Sequence, residues 1–335
     1  MDNTERIYKK FFIIKVIILI ILISFFLFNV SCPKSKKVYK IGILNGLNFF
    51  APSIDTFKEK MTELGYVEGE NITYELKSTD FDMAKYKQYA EELIELKPDL
   101  LFVFPTEAAI VIKEAAKNTD IPIVFNASFI EDTGLVNSIQ EPGGNITGVR
   151  YPGPDIAAKR FEIIMQIDQS IKTVLIPYIK GYPSLPAQLA AVRTLADSMG
   201  VKIIEAAVES PPELATNLKQ NAKSIDAIMT LSEPLSVTPD FFKIYGKFAL
   251  DNKVVLGGAL FVVDDYGTLY GVNMDIGKSG KDCAIIVNKI FNGTKAGKIP
   301  VISADNYIEI DYKRAVRLGY NIPDSVIKQA DKVYR

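Results

Sequence analysis

Carboxylates, hydroxyls and aromatic rings must carry whatever chemistry this chain performs, because its imidazoles and paired thiols are missing. Histidine is absent, which removes imidazole acid–base catalysis, Ser-His-Asp triads and His-ligated metals. The two cysteines, Cys32 and Cys283, stand far apart and form no CxxC, so neither a dithiol couple nor a thiolate zinc site is indicated. No GxGxxG, Walker or GxSxG element occurs. The sequence therefore predicts no catalytic set, no metal and no cofactor. What remains are groups suited to hold a small molecule. Asn48-Phe49-Phe50 offers an amide beside two rings that can form a stacking wall. Thr106-Glu107 stands at a helix start, Asn126-Ala127-Ser128 follows an apolar run, and Glu233 can pair with an ammonium. Tyr151 and Tyr178 add amphipathic rings, and Gly257-Gly258 would let a ligand approach the backbone. Cys283 lies among Ala284, Ile285 and Ile286 and reads as a small buried hydrophobe.

The elements that position these groups begin with an export signal. Arg6, Lys9 and Lys10 precede the apolar run VIILIILISFFLF at 16–28, followed by Asn29-Val30-Ser31-Cys32. A basic start, an apolar stretch and compact residues before a cleavage point describe a secretory signal. An uncleaved membrane helix over 11–30 is the alternative, interrupted by Lys15. Both place the rest of the chain outside the cytoplasm. Apolar residues make up 48% of the sequence and charged residues 24%, enough to build a substantial core. The formal net charge is −1. Without the first 31 residues, which hold four basic and two acidic groups, it is −3. Neither value makes an electrostatic case for nucleic acid.

From residue 38 onward strand-like and helix-like periods alternate. Strands are predicted at 39–44, 71–76, 100–104 and 121–125, with helices at 52–64, 82–96 and 107–117 between them. A second series has strands at 172–176, 201–207, 226–231 and 254–256 and helices at 184–199, 212–223 and 239–250. Helices at 277–291 and 311–318 complete the chain. Between the series lie the Pro/Gly clusters 141–145 and 151–154, which mark a boundary. This βα alternation predicts an α/β protein with two doubly wound parallel-sheet lobes joined by a hinge. The expected limits are a signal at 1–31, a tether at 32–37, an N-lobe at 38–149 plus about 274–303, and a C-lobe at 150–273 plus about 304–335.

Several segments together resemble the ABC-transporter substrate-binding family with the type I periplasmic-binding fold, in the branch of tryptophan/tyrosine-type binders. They include LGYVEGENITYE (64–75), AEELIELKPDLLFVFPTEAA (90–109), IPIVFNA (121–127), GLVNSIQEPGGNITGV (134–149), GVKIIEAAVES (200–210), IDAIMTLSE (225–233) and IPDSV (322–326). PGGNITGV is the most specific of them. The resemblance spans nearly all of the chain after the tether and implies a receptor, not an enzyme. Its permease and ATPase would be separate chains, its ligand a small organic molecule, an amino acid or related compound, and its own state monomeric. Cys32 resembles the acylated cysteine of a lipoprotein box, with Asn29 where a Leu-like residue is usual. That implies anchoring to the cell membrane by lipid.

In this fold ligand meets the loops at the carboxyl ends of strands. The resemblance thus implies cleft positions for Asn48, Phe49, Thr106, Glu107, Asn126, Ser128, Tyr151, Tyr178, Glu233 and Gly258. The family's Thr-x-Ala turn matches Thr106-Glu107-Ala108, and Glu233 stands where the family often has Asp. Three departures accompany the match. The family's Asp-Pro pair is replaced by Ile130-Glu131-Asp132, its acidic and amide residues after Tyr178 by 180–184, and an acid by Leu260. Two rivals use the same sequence features: a tethered ligand sensor, and an enzyme acting through carboxylates such as Glu107 and Glu233.

Overall fold

Continuous apolar runs become strands covered on both faces, and the amphipathic stretches between them become crossover helices. In the computed structural model the described residues are 12, 15, 16, 37–80, 82–182 and 184–335, without the side chains of Phe49, Pro234 and Val237. Cys32 and most of the predicted signal and tether lie outside them. Tyr39–Arg335 form one compact unit.

The first series runs β1 (Tyr39–Asn45), α1 (Ala51–Glu63), β2 (Ile72–Ser78), α2 (Met83–Glu95), β3 (Leu100–Phe104), α3 (Thr106–Ala115), β4 (Ile123–Ser128) and β5 (Ile146–Arg150). The chain then crosses into α4 (Gly153–Ile167), β6 (Thr173–Ile179), α5 (Leu185–Met199), β7 (Lys202–Val208), α6 (Pro211–Asn221), β8 (Ala227–Met229), α7 (Pro239–Asn252) and β9 (Val255–Gly258). A small hairpin, β10 (Val262–Val263) with β11 (Tyr266–Gly267), leads to β12 (Tyr270–Met274). α8 (Ile276–Phe291) and β13 (Ile302–Ser303) return to the first lobe. β14 (Asn306–Asp311), α9 (Tyr312–Leu318), α10 (Asp324–Ile327) and β15 (Lys332–Tyr334) finish the second.

Two sheets result, ordered β13-β5-β4-β3-β1-β2 and β15-β14-β12-β9-β8-β6-β7. Three short crossings join them, at 151–152, 275 and 304–305. Every pair in the first sheet is parallel. The second departs from the expected all-parallel pattern: β14 pairs antiparallel with β12. The reason is its route. β14 enters directly from the first lobe, without the crossover helix that a parallel pairing requires.

β3, sequence LLFVF, is buried along its whole length. Phe57 of α1 stacks on its Phe102 at 4.4 Å between ring centroids, an aromatic pair that adds about 1 kcal/mol beyond its buried area. Cys283 is wholly buried in α8, its Sγ 3.7 Å from the Phe125 carbonyl. These packed layers hold the carboxyl ends of β3, β4, β6, β8 and β9 in fixed positions, and the loops that leave them carry the polar residues described next.

Candidate functional site

Glu107 stands in the first turn of α3, a helix whose start is set by Pro105 as N-cap. Thr106 is therefore the first helical residue, one position before the helix start at 107 predicted from the sequence. Its Oγ1 accepts the Phe129 N–H at 2.9 Å, which ties α3 to the loop after β4. Phe129 in turn packs against Tyr151, with ring centroids 5.1 Å apart. Burial raises the Glu107 carboxyl, while its own backbone N–H and the Tyr182 hydroxyl pull it back. Tyr182 belongs to the loop after β6 in the other lobe, so this contact bridges the two. Gly46, just after β1, has no side chain. A Cβ there would sit 2.2 Å from the Tyr86 hydroxyl, so glycine is required for Tyr86 to reach the strand ends. Tyr86 is buried and its hydroxyl has no hydrogen-bond partner among the described residues; burial pushes it up to about 12.

On the opposite lobe the segment 230–233 leaves β8 and is held by two side chains. Gln188 of α5 clamps the Ser232 peptide: its Oε1 accepts the Ser232 N–H at 2.9 Å and its Nε2 donates to the Ser232 carbonyl at 3.1 Å. Arg160 of α4, only 1% exposed, donates to the carbonyls of Thr230 (3.0 Å) and Val272 (2.9 Å) and to Asn273 Oδ1 (2.9 Å). So held, Ser232 meets the Tyr151 hydroxyl at 2.7 Å. Glu233 follows, 6% exposed. Its Oε2 accepts the Leu235 N–H at 3.0 Å; its Oε1 has no hydrogen bond of good geometry among the described residues, although the Ile179 and Ser236 amides also act on the carboxylate. Burial pushes this carboxyl up to about 7, opposed by the amides of Leu235, Ile179 and Ser236 and, least, by the Arg160 charge. The Tyr182 phenol is raised by burial and then by the negative charges of Glu107 and Glu233. One aromatic side chain thus lies within the field of two carboxylates from facing lobes, Glu233 buried and Glu107 half-buried.

Four of the residues expected at the cleft therefore belong to one neighbourhood: Thr106, Glu107, Tyr151 and Glu233. Others have different surroundings. Asn126 and Ser128 lie inside β4 rather than in a turn after it, and both are buried. Asn126 Nδ2 donates to Ser53 and Ser279 hydroxyls of α1 and α8 at 2.6 and 3.1 Å, and its Oδ1 accepts the Ala127 N–H. Ser128 Oγ donates to the Asn126 carbonyl at 3.2 Å. The strand register shifts between Phe125 and Ser128, and Ala127 adopts φ +52°, so the strand predicted to end at 125 continues through a kink. Tyr178 points toward edge strand β7, donating to Glu205 at 3.2 Å beside Arg193. Gly258, at φ +138°, would place a Cβ 2.1 Å from Thr230 Oγ1 and 2.7 Å from the Thr230 carbonyl; it makes room for a neighbouring strand end. Asn48 is exposed in a short 3-10 turn, Asn48–Phe50. The side chain of Phe49 is not among those described.

Sequence reasoning missed Arg160, Tyr182, Gln188 and Ser232. A signal existed for Arg160, a lone charge within the apolar stripe Ile156, Ala157, Phe161 and Ile164 of α4. For Tyr182 it was weaker: a ring between Gly181 and Pro183 just past a strand end.

Residues 51–334 match the family described as ABC transporter substrate binding protein. The chain belongs to that family. A tyrosine-binding protein from Clostridioides difficile strain R20291 is 25% identical over 277 residues, 81% of this chain and 78% of the relative. Among solved structures, an ABC domain in complex with L-Trp from Streptococcus pneumonia has TM-score 0.75 at 23% identity, covering 89% of this chain and all of that one. The ligand-free, open structure of CD0873, a substrate binding protein with adhesive properties from Clostridium difficile, has TM-score 0.73 at 23% identity, with 88% and 99% covered. Both likenesses establish the two-lobe α/β fold. This substrate-binding protein is thus an extracytoplasmic component of an ABC transporter, a binding protein and not an enzyme. Its partners are a small-molecule ligand and the transporter's other subunits.

Proposed function

We propose that this chain is the lipid-anchored receptor of an ABC importer, and that it captures an amino acid or a related ring-bearing compound between its lobes. The observation that carries this reading is the Glu233 carboxylate, buried at the mouth of the segment 230–233 with no hydrogen bond of good geometry at Oε1 among the described residues. A buried polar atom left without a partner costs about 1–3 kcal/mol, and a ligand ammonium would relieve it. Glu107, Thr106 and Tyr151 stand beside it as further contacts, with Phe129 and Tyr182 as ring walls. The relatives, one a tyrosine-binding protein and one in complex with L-Trp, support an aromatic ligand. Three short crossings between two rigid sheets suit a hinge that closes over the ligand and excludes water.

Calorimetric titration with amino acids and small aromatic or amide compounds should give saturable one-to-one binding, with a smaller radius of gyration in solution scattering. A cooperatively folded protein that binds nothing across that panel would count against the reading.

Anchoring is proposed at Cys32. In cells fed labelled palmitate, the wild-type chain should incorporate label and partition with membranes, whereas Cys32→Ser should do neither. Unlabelled wild-type chain that stays with the membrane would point instead to a retained apolar helix over 11–30.

A further inference from the structure

Gln188 is an amide set in the apolar stripe Leu185, Leu189, Val192 and Ala196 of α5, and it is wholly buried. A buried amide needs partners for its donors and its acceptor. Gln188 finds them on two segments outside regular structure. Past Met229 the chain has left β8, and among the described residues the Ser232 peptide pairs with no other backbone group. Gln188 does what a neighbouring strand would do, accepting the Ser232 N–H at 2.9 Å and donating to its carbonyl at 3.1 Å. Its Nε2 also donates to the Ser184 hydroxyl at 3.0 Å, next to the turn that carries Tyr182. One side chain thus ties together the two C-lobe segments that reach Tyr151 and Glu107 of the N-lobe.

So held, the Ser232 hydroxyl lies 2.7 Å from that of Tyr151. The Tyr151 backbone is fixed on the N-lobe: its N–H donates to the Ser128 carbonyl at 2.9 Å, extending the pairing of β5 with β4. Its ring packs against Phe129. The hydroxyl pair therefore spans the two lobes beside the first crossing. An apolar contact accompanies it. A Cβ on Gly153, the first residue of α4, would sit 2.5 Å from Phe129 Cε1 and 3.5 Å from Gln188 Cγ. Glycine there lets the N-lobe ring seat on the C-lobe helix next to Gln188. Of the two contacts the hydroxyl pair is the sharper, since a hydrogen bond of this length is lost within about 1 Å of displacement.

We propose that Tyr151 and Ser232 form a latch that holds the lobes closed, and that Gln188 is the positioning residue that aims it. The segment 230–233 also carries Glu233, so the latch and the acidic group at the cleft move as one piece; this rests on the reading of the interlobe cleft as the ligand site. The hydroxyl pair joins lobe to lobe rather than protein to ligand. It therefore raises affinity for every occupant by one common factor, through the closing equilibrium.

Hydrogen exchange of the full chain in detergent, without added ligand, tests the latch. Ser232→Ala and Tyr151→Phe should each speed exchange of the Phe129 and Tyr151 amides on the N-lobe side by about threefold to tenfold, the effect of one net hydrogen bond. The double variant should be no faster than either single one. In a Gln188→Leu chain, removing the Ser232 hydroxyl should change nothing further at those two amides. Faster exchange confined to 184–188 and 230–236 would reduce Gln188 to local support and overturn the proposal, as would additive effects of Tyr151→Phe and Ser232→Ala. The Tyr151 and Ser232 variants keep the test decisive if Gln188→Leu does not fold. Calorimetry with L-tyrosine and L-tryptophan separates the latch from the cleft reading. Ser232→Ala should weaken both by the same factor of about three to ten. Weakening of one alone would make Ser232 a ligand contact and overturn the latch. A wild-type chain that binds neither would count against the cleft reading, and the exchange result would still decide the latch.

Discussion

Replacing Arg160 with methionine should destabilise the protein by about 3 kcal/mol, as measured by chemical denaturation with an unchanged denaturant slope. Two effects compete. Methionine removes a buried charge that has no carboxylate within ion-pair distance among the described residues, which is favourable. It also orphans three acceptors, the carbonyls of Thr230 and Val272 and Asn273 Oδ1, at about 1–3 kcal/mol each. The acceptors win because burial leaves no water to replace the guanidinium. Lysine should be nearly as damaging, since one ammonium cannot reproduce the planar fork that joins β12 to the end of β8. A loss below about 1 kcal/mol for Arg160→Met would mean that the two effects cancel.

Glu233→Gln should do the opposite to stability. The folded state holds a proton on Glu233 up to about pH 7, whereas the ordinary value is 4.5. Over that window the folded chain binds more protons than the unfolded chain, so this group makes stability fall as pH rises from about 4.5 to about 7. Above pH 7 the carboxylate is charged, buried and half satisfied. Glutamine removes the charge while its carbonyl can still accept the Leu235 N–H. At pH 8 the variant should be more stable than the wild type by about 1–3 kcal/mol, with a flatter pH dependence between 4.5 and 7. Some slope should remain, because the neighbouring Glu107 is also raised by burial. Arg160, Tyr182 and Tyr245 face the same group; Arg160 holds it down, so Arg160→Met should raise its pKa further. A variant that gains stability and loses ligand is the behaviour of a residue kept for binding at the expense of the fold. Equal or lower stability of Glu233→Gln at pH 8 would show that the wild-type carboxylate is not strained.

Strand ends were easier to read from the sequence than side-chain directions. Thr106, Glu107 and Glu233 follow apolar runs too short to be anything but buried strands, so their placement at the carboxyl edge follows from period and length. Tyr178 shows where this fails. It also ends a strand-like run, but alternate residues of a strand face opposite sides, and the structure turns its hydroxyl to Glu205. Asn126 fails for another reason: two serines distant in sequence, Ser53 and Ser279, satisfy it from α1 and α8, and no local pattern announces them.

The sequence alone determined the alternation of strands and helices, the change of lobe at the Pro/Gly clusters, the family, and the absence of imidazole chemistry. These depend on local periodicity, turn residues and composition, which each short window carries within itself. Only the tertiary structure decided that Glu233 is left half satisfied and that Tyr182 stands between it and Glu107. It also decided that Arg160 underpins the site. Those properties arise from burial and from partners brought together across the fold, and both depend on how the two sheets pack rather than on any neighbour in the chain.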